Sequence, residues 1–496
     1  MSSYTSYSSG LGEALLKIDE FRGIDQSRDD HNPDPSVAVD AQNFIARYGV
    51  LRTALGGYAY MGAIPETATG GRIMQAFVRD STGVDKTYIL AALGGKLYSC
   101  EPGGATWTQI GSGFTSDAWD YVNYRHEDAE SIIMTNGVDT AQRWDGSTLT
   151  QMPVEQAQED VVFSQITLLY ERLWGAVTTA NPDRIYWSES FNPDEWDLNY
   201  DDPENLGGGF IDVATFDGTR IRAIVAAFDD VLIFKDKSMH RLNGTYPGEF
   251  SLTNVYGTEG TLAPRTICVT SDRLYFLAAE GLCAYDGMSV VALADAGDRR
   301  LKNVWARLNL ASIDKACSMI HDGVMYIAVP LDEAARNSHV VEYHMETGTY
   351  SLITLTNVDD FLLLREGQKE RLLYLSGNQI YEYEKAYNFY GEDINAYWLS
   401  PEIDCGSLAK KKRTGRVYMR VYAQSLDYGR APEIKLSMIS GDKMRTRTIE
   451  LENGVNYLRT RVRIRGRTFR YKIENTHGDP MQIYGGMEIH IEEDYD

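Results

Sequence analysis

The chain has 496 residues, 43% of them hydrophobic, with 48 Lys+Arg against 71 Asp+Glu and a formal net charge of −23. This length exceeds one ordinary core and calls for two or more domains unless a repeat extends the fold. No stretch approaches the apolar length of a membrane-spanning helix, and so acidic a body argues against a general grip on nucleic acid over its whole surface.

The charge is uneven. Residues 401–496 hold 18 Lys+Arg and 14 Asp+Glu, a net of +4, which leaves −27 on residues 1–400. Such asymmetry places the two parts in different surroundings. The five cysteines are odd in number, scattered and without Cys-x-x-Cys spacing. They read as small core residues of a chain folded in a reducing compartment.

In chain order, "MSSYTSYSSGLGEALLKIDEF" lacks the basic and apolar regions of a signal peptide. Its first ten residues, rich in Ser, Tyr and Gly, are expected to need a partner for order. A Pro-rich turn, "NPDP" at 32–35, leads into 36–49, where the pattern predicts a short helix ending at Gly49. From about residue 73 one pattern recurs. A charged or Gly turn enters a short apolar strand, as in "GKLYSC", "ESIIMT", "ERLWGA", "DVLIFK", "DRLYFL", "GVMYIA" and "RLLYLS". Taking Leu97, Ile132, Leu173, Leu232, Leu274, Met325 and Leu373 as equivalent gives a mean repeat of 46 residues. That is the length of four short strands, the size of a β-propeller blade. "QRWDGSTLTQM" and "CAYDGMSVVAL" add an Asp-Gly turn between strands, the chemistry of a tight hairpin. A second helix is expected within 295–314, where Leu301, Val304, Trp305 and Leu308 share a helical face. After about residue 390 apolar and polar residues alternate, as in "RVYMRVYAQSL" and "MQIYGGMEIHIEE", which predicts a β-sandwich. The expected fold is all-β: an N-terminal arm and hairpin over 1–70 that contacts partners, a propeller of six to eight blades over 71–390, and a C-terminal β-sandwich over 391–496.

Nucleotide-loop, nucleophile-elbow and metalloprotease motifs are missing. His339 and His344 have no third ligand nearby in sequence. In "DLNYDDPENLGGG", Asp197, Asn199 and Asp201 alternate as in a calcium loop, but Asp202 and Gly208 stand where that loop needs Gly and Glu. "EPGGATWTQI" lacks the Ser and Asp of sialidase-type turns. We expect no catalytic residue, no metal and no cofactor. The strand "RVRIRGR" is sharper: Arg461, Arg463, Arg465 and Arg467 alternate with Val462, Ile464 and Gly466, so period two points four guanidiniums from one sheet face. Such a stripe asks for anions: carboxylates of an adjacent strand or subunit, a phosphate backbone, or failing those, solvent. In "NPDRIYWSESFNPDEWD", Ile185 and Trp187 fall on one strand face and Tyr186 and Ser188 on the other. Pro193 fixes the following loop, and Trp196 folds back as an apolar plug, so these aromatics read as packing and not as a sugar platform.

The same stretch, from Arg184, Tyr186 and Trp187 through Pro193 to Trp196, resembles a segment of propeller-bearing virion proteins of tailed bacteriophages. "FRGID…DPSVAVDAQNFIARYGVLRTALGG" at 21–57 is similar to their N-termini. The nearest group is the tail nozzle proteins of short-tailed phages, including the packaged-DNA stabilisation type. The resemblance covers about residues 20–390. It implies a structural, non-enzymatic virion protein, assembled in the host bacterial cytoplasm. Such a protein forms a ring, commonly a hexamer, below the portal and adaptor and beside other tail proteins. DNA would pass through the lumen without sequence-specific binding, and an acidic lumen suits that passage. The competing reading is a receptor- or glycan-binding tail protein with or without glycoside hydrolase activity, which a deep, Trp-lined polar pocket would favour.

Overall fold

The computed structural model describes residues 4–493 apart from 10–12, 28–33, 80–82, 127–128, 157–158, 198–206, 216–217, 256–258, 294–299, 406–407 and 428. The fold is nearly all β and propeller-like: small antiparallel sheets follow one another along the chain. Four-stranded sheets occupy 72–112, 120–151, 165–212, 221–254, 268–292 and 317–353, here called sheets 1 to 6. Sheet 7 takes three strands from 360–386 and its fourth from Gly56–Ala59, paired with Gln379–Ala386. An early segment thus completes the last sheet, which ties the two ends of the series together.

Short side chains on the first strands of sheets 7, 2 and 3 stitch them to their neighbours. Asp360 of sheet 7 accepts the Ile73 N–H at 3.1 Å and pairs with Arg72 at 2.9 Å. Asn123 of sheet 2 accepts from Phe77 and donates to Gln75 of sheet 1, each at 2.9 Å. Asp120 accepts the Ile166 N–H of sheet 3, and Thr167 accepts the Ala226 N–H of sheet 4. Buried first strands cannot use water for groups left off the ladder, so these bonds satisfy them. Apolar cores lie between consecutive sheets: Met74, Leu90 and Ile132 between sheets 1 and 2, Leu232, Phe234 and Phe276 between sheets 4 and 5. A strand sandwiched on both faces needs a continuous apolar run, which is why "DVLIFK" is buried from Val231 through Lys235.

All seven repeat residues have zero exposure. Six of them lie on the second strand of their sheets, but Leu97 lies on the third, Lys96–Cys100. The true equivalent in sheet 1 is Asp85–Leu93. Two buried strands flank one Gly-Gly turn there, and either satisfies the same apolar signature.

Residues outside the series form two larger sheets. A nine-stranded sheet centres on Lys412–Ala423 and includes Tyr4–Ser9, Glu13–Ile18, Phe44–Arg47, Val50–Thr53 and Met487–Glu493. A five-stranded sheet runs Asp40–Gln42, Ala396–Leu399, Arg470–Asn475, Glu433–Ser440 and Lys443–Glu450. Val417, Val421 and Ile489 of the first share a core with Leu436, Tyr471 and Ile473 of the second. Strands of the arm and hairpin expected over 1–70 pair within the chain, Glu13–Ile18 with Met487–Glu493 and Asp40–Gln42 with Ala396–Leu399. The helix expected over 36–49 is corrected. Tyr48 and Gly49, at φ 51° and 76°, make a tight turn between Phe44–Arg47 and Val50–Thr53, and the open edge of Met481–Ile483 captures Val50–Thr53. Among the described residues of 295–314, only Lys302–Trp305 is α-helical, with Val304 and Trp305 buried.

Candidate functional site

The aromatic motif at 184–196 is packing. Ile185 and Trp187 join the core toward sheet 4, whereas Tyr186 and Trp196 join the core toward sheet 2, as a strand of period two requires. Trp196 is 1% exposed, its ring lies 5.1 Å from that of Phe163, and its Nε1–H donates to the Pro193 carbonyl at 2.9 Å. Gly208 packs so close behind that a Cβ there would sit 2.3 Å from the Trp196 backbone. Arg184 forms a two-point ion pair with Asp212, at 2.7 and 3.1 Å, and covers the Phe210 ring at 3.8 Å. All eight tryptophans of the chain are buried, so none offers a face for stacking on a sugar.

The arginine stripe is a surface. Gly454–Arg461 pairs antiparallel with Lys412–Ala423, setting Arg461 opposite Arg416, Arg459 opposite Tyr418 and Tyr457 opposite Arg420. The chain leaves the ladder at 462–464 but stays tethered, with the Ile464 N–H on Thr414 Oγ1 at 3.0 Å, and pairs again at Arg465–Gly466. Val462 and Ile464 are 2% and 5% exposed, and all four arginines are exposed. Gly466 is required because a Cβ would meet Ser440 Oγ at 1.7 Å.

Sequence reading missed what surrounds the stripe. Arg413, Arg416 and Arg420 arrive from the adjacent strand, and Lys443, Arg445 and Arg447 arrive from the edge strand of the other sheet, whose outermost ladder is Lys443–Glu450. A concavity of about 620 Å³ opens between the two sheet rims, lined by Lys443, Met444, Arg445, Arg463 and Arg465 among others, with Asp442 as its one acidic residue. One nearby carboxylate belongs to Glu492: Arg413 bonds it at 2.7 Å and holds its carboxyl below the usual range, with smaller help from Arg463 and Arg461. Among the described residues Arg461, Arg463 and Arg467 enter no ion pair. Apolar side chains stand exposed on the same strand and on the facing rim: Tyr457 at 81% and Val455 at 54% on Gly454–Arg461, and Met444 at 58% beside Arg463. The two-residue spacing was the signal for the stripe. No linear signal brings 413–420 and 443–447 to it.

Other chemistry-bearing residues are dispersed. His339 and His344 stand at opposite ends of the strand His339–His344. Burial, and then Arg307 and Arg47 respectively, press each down to about 4. Between them Glu342 is fully buried and pushed up to about 7, by burial first and by Glu384 second. Among the described residues no group of three or more His, Cys, Asp or Glu side chains is placed to hold a metal ion. Most of the acidic loop at 197–209, including Asn199 and Asp201, lies outside the described residues. Four cysteines are buried and Cys405 is half-buried, and all five are thiols. No described helix is long and apolar enough to cross a membrane.

No family model matches the chain, and no curated protein matches it. Among solved structures it is similar to the extracellular domain of a putative hybrid two-component system, BT4673, from B. thetaiotaomicron. The identity is 8% and the TM-score 0.44, with 91% of this chain and 64% of that chain covered, so this chain spans under two thirds of the neighbour's length. It is also similar to Kluyveromyces lactis Hsv2, at 13% identity and TM-score 0.31 over 53% of this chain and 81% of that one. A third likeness is to the AfRom2 CNH domain, at 8% identity and TM-score 0.35 over 67% and 97%. Likenesses this distant carry no functional argument.

Proposed function

We propose that the chain is a structural subunit of a tailed-bacteriophage virion: a seven-bladed β-propeller joined to a β-sandwich, which assembles with copies of itself into a ring around a DNA channel. One observation carries this reading. A single chain bears −27 on residues 1–400 and, on its C-terminal sheets, a solvent-facing arginine stripe in which Arg461, Arg463 and Arg467 have no ion-pair partner among the described residues. Two complementary surfaces at different places on one subunit make heterologous contacts, and heterologous contacts close into rings when the rotation allows. The series of sheets latched by Gly56–Ala59 supports a rigid, closed propeller. The burial of every tryptophan weighs against the glycan-binding alternative.

An acidic body suits a channel subunit, because a negative lumen repels phosphate and lets DNA slide. Negative-stain electron microscopy of the purified full chain tests the proposal. Rings with a central hole are expected. Monodisperse single particles at low salt, or specific retention on a glycan array, would overturn it.

A further inference from the structure

Resting on that ring reading, we infer that the arginine face between the two C-terminal sheets docks a second copy of this chain, at the acidic rim where its sheets 2 and 3 meet. Three observations converge on a protein partner. The first is composition: Tyr457 and Val455 stand exposed on the strand of Arg459 and Arg461, and Met444 stands exposed beside Arg463, and Tyr, Met and Arg are the residues enriched at the buried centres of interfaces. A phosphate grip gains nothing from Met444 or Val455. The second is open backbone: among the described residues Lys443–Glu450 and Gly454–Arg461 each pair on one side only, so both sheets end at this rim. The third is charge: cations concentrated here on a chain with a surplus of carboxylates elsewhere need anions from outside the face.

The acidic rim offers those anions. Glu155–Gln156 pairs with Glu159–Asp160 beside sheet 3, where Gln156 donates to the Trp196 carbonyl, and Glu155, Glu159 and Asp160 are exposed. Among the described residues none of the three enters an ion pair, unlike nearby Asp194, which Arg143 holds at 2.8 Å, and Asp212, which Arg184 holds. A groove of about 600 Å³ runs beside this strand pair, past Gln156, Asn181, Tyr186 and Arg184, whose charge Asp212 offsets, and gives Tyr457 and the incoming long side chains a concave seat. Contact between a C-terminal face and the flank of the next propeller is heterologous, so each copy keeps one face of each kind for its two neighbours.

Sedimentation velocity on the full chain reads the outcome. The parent is expected to sediment as an oligomer whose association weakens as salt rises. R461E/R463E should weaken association on the order of 100-fold, as opposing charges at a docked pair do. E155K/E159K/D160K should do the same, and both sets combined in one chain should restore association. All the positions are exposed, and circular dichroism checks that each variant keeps its fold. A parent that assembles while R461E/R463E assembles equally well places the contact elsewhere and leaves the ring reading standing. A parent that stays monomeric overturns both. Unchanged assembly with a labelled single-stranded oligonucleotide bound by the parent and released by R461Q/R463Q assigns the face to phosphate and overturns this inference.

Discussion

Replacing Trp196 with alanine empties a closed space between sheets 2 and 3. The indole is 1% exposed and lies against Phe163, within a core that also holds Met152, Val154, Ile166 and Tyr186. Burying an indole removes roughly 200 Å² from water, which at about 25 cal/mol per Å² is ~5 kcal/mol as an upper figure. The lost Nε1–H bond to Pro193 adds little, because donor and indole leave together and the carbonyl alone must find a new partner. Partial collapse of the loop returns some of the loss, so we expect Trp196→Ala to destabilise by about 3–5 kcal/mol. Urea denaturation followed by tyrosine-weighted fluorescence and circular dichroism gives the number. Phe191, five residues earlier and 60% exposed, is the internal control: Phe191→Ala should change stability by less than about 0.5 kcal/mol. If Trp196→Ala unfolds at the parent's midpoint, the indole is not a packing element and the account of the whole 181–197 segment fails.

Further expectations follow from burial and charge. Leu232→Ala and Leu373→Ala, each at zero exposure on a second strand, should cost about 2–5 kcal/mol by denaturation, and a loss under ~1 kcal/mol at either would argue against the double-sided burial of those strands. Glu342 packs with Tyr383, whose hydroxyl donates to it at 3.3 Å, and faces Glu384, Arg52, Arg47 and Tyr326. Its folded value of about 7 lies above the ordinary 4.5, so the native state holds the proton longer than the unfolded chain. Stability from this group is complete below about pH 4.5 and is lost as pH rises through about 7. Glu342→Gln should therefore gain on the parent between pH 5 and 8, and a stability difference flat across that range would refute the assignment. Removing the exposed Arg184–Asp212 pair by Asp212→Asn should cost no more than about 1 kcal/mol, read by thermal melting.

The sequence by itself determined the local alternatives. Apolar runs of five or six residues between Gly or Asp turns predicted short strands, and their repeat predicted many small sheets, because each strand must be buried on two faces by neighbours of the same kind. Period two also determined the arginine stripe and the split of Ile185 and Trp187 from Tyr186, since side chains alternate along any strand whatever it pairs with. What pairing decides lay beyond that. Residues 36–49 have enough apolar spacing for a helix, and they became strands because the open edge of Ala396–Leu399 captured Asp40–Gln42 and because Phe44–Arg47 pairs with Val50–Thr53, itself held by the edge of Met481–Ile483. Leu97 matched the repeat signature from the wrong strand, because burial on both faces looks alike on the second and third strands of a sheet. The company around the stripe, Arg413 to Arg420 on one side and Met444 with Arg445 on the other, exists because strands distant in sequence end at one rim. Hydrogen-bonded ladders join segments by edge availability and not by sequence distance, so only the tertiary structure placed those residues together.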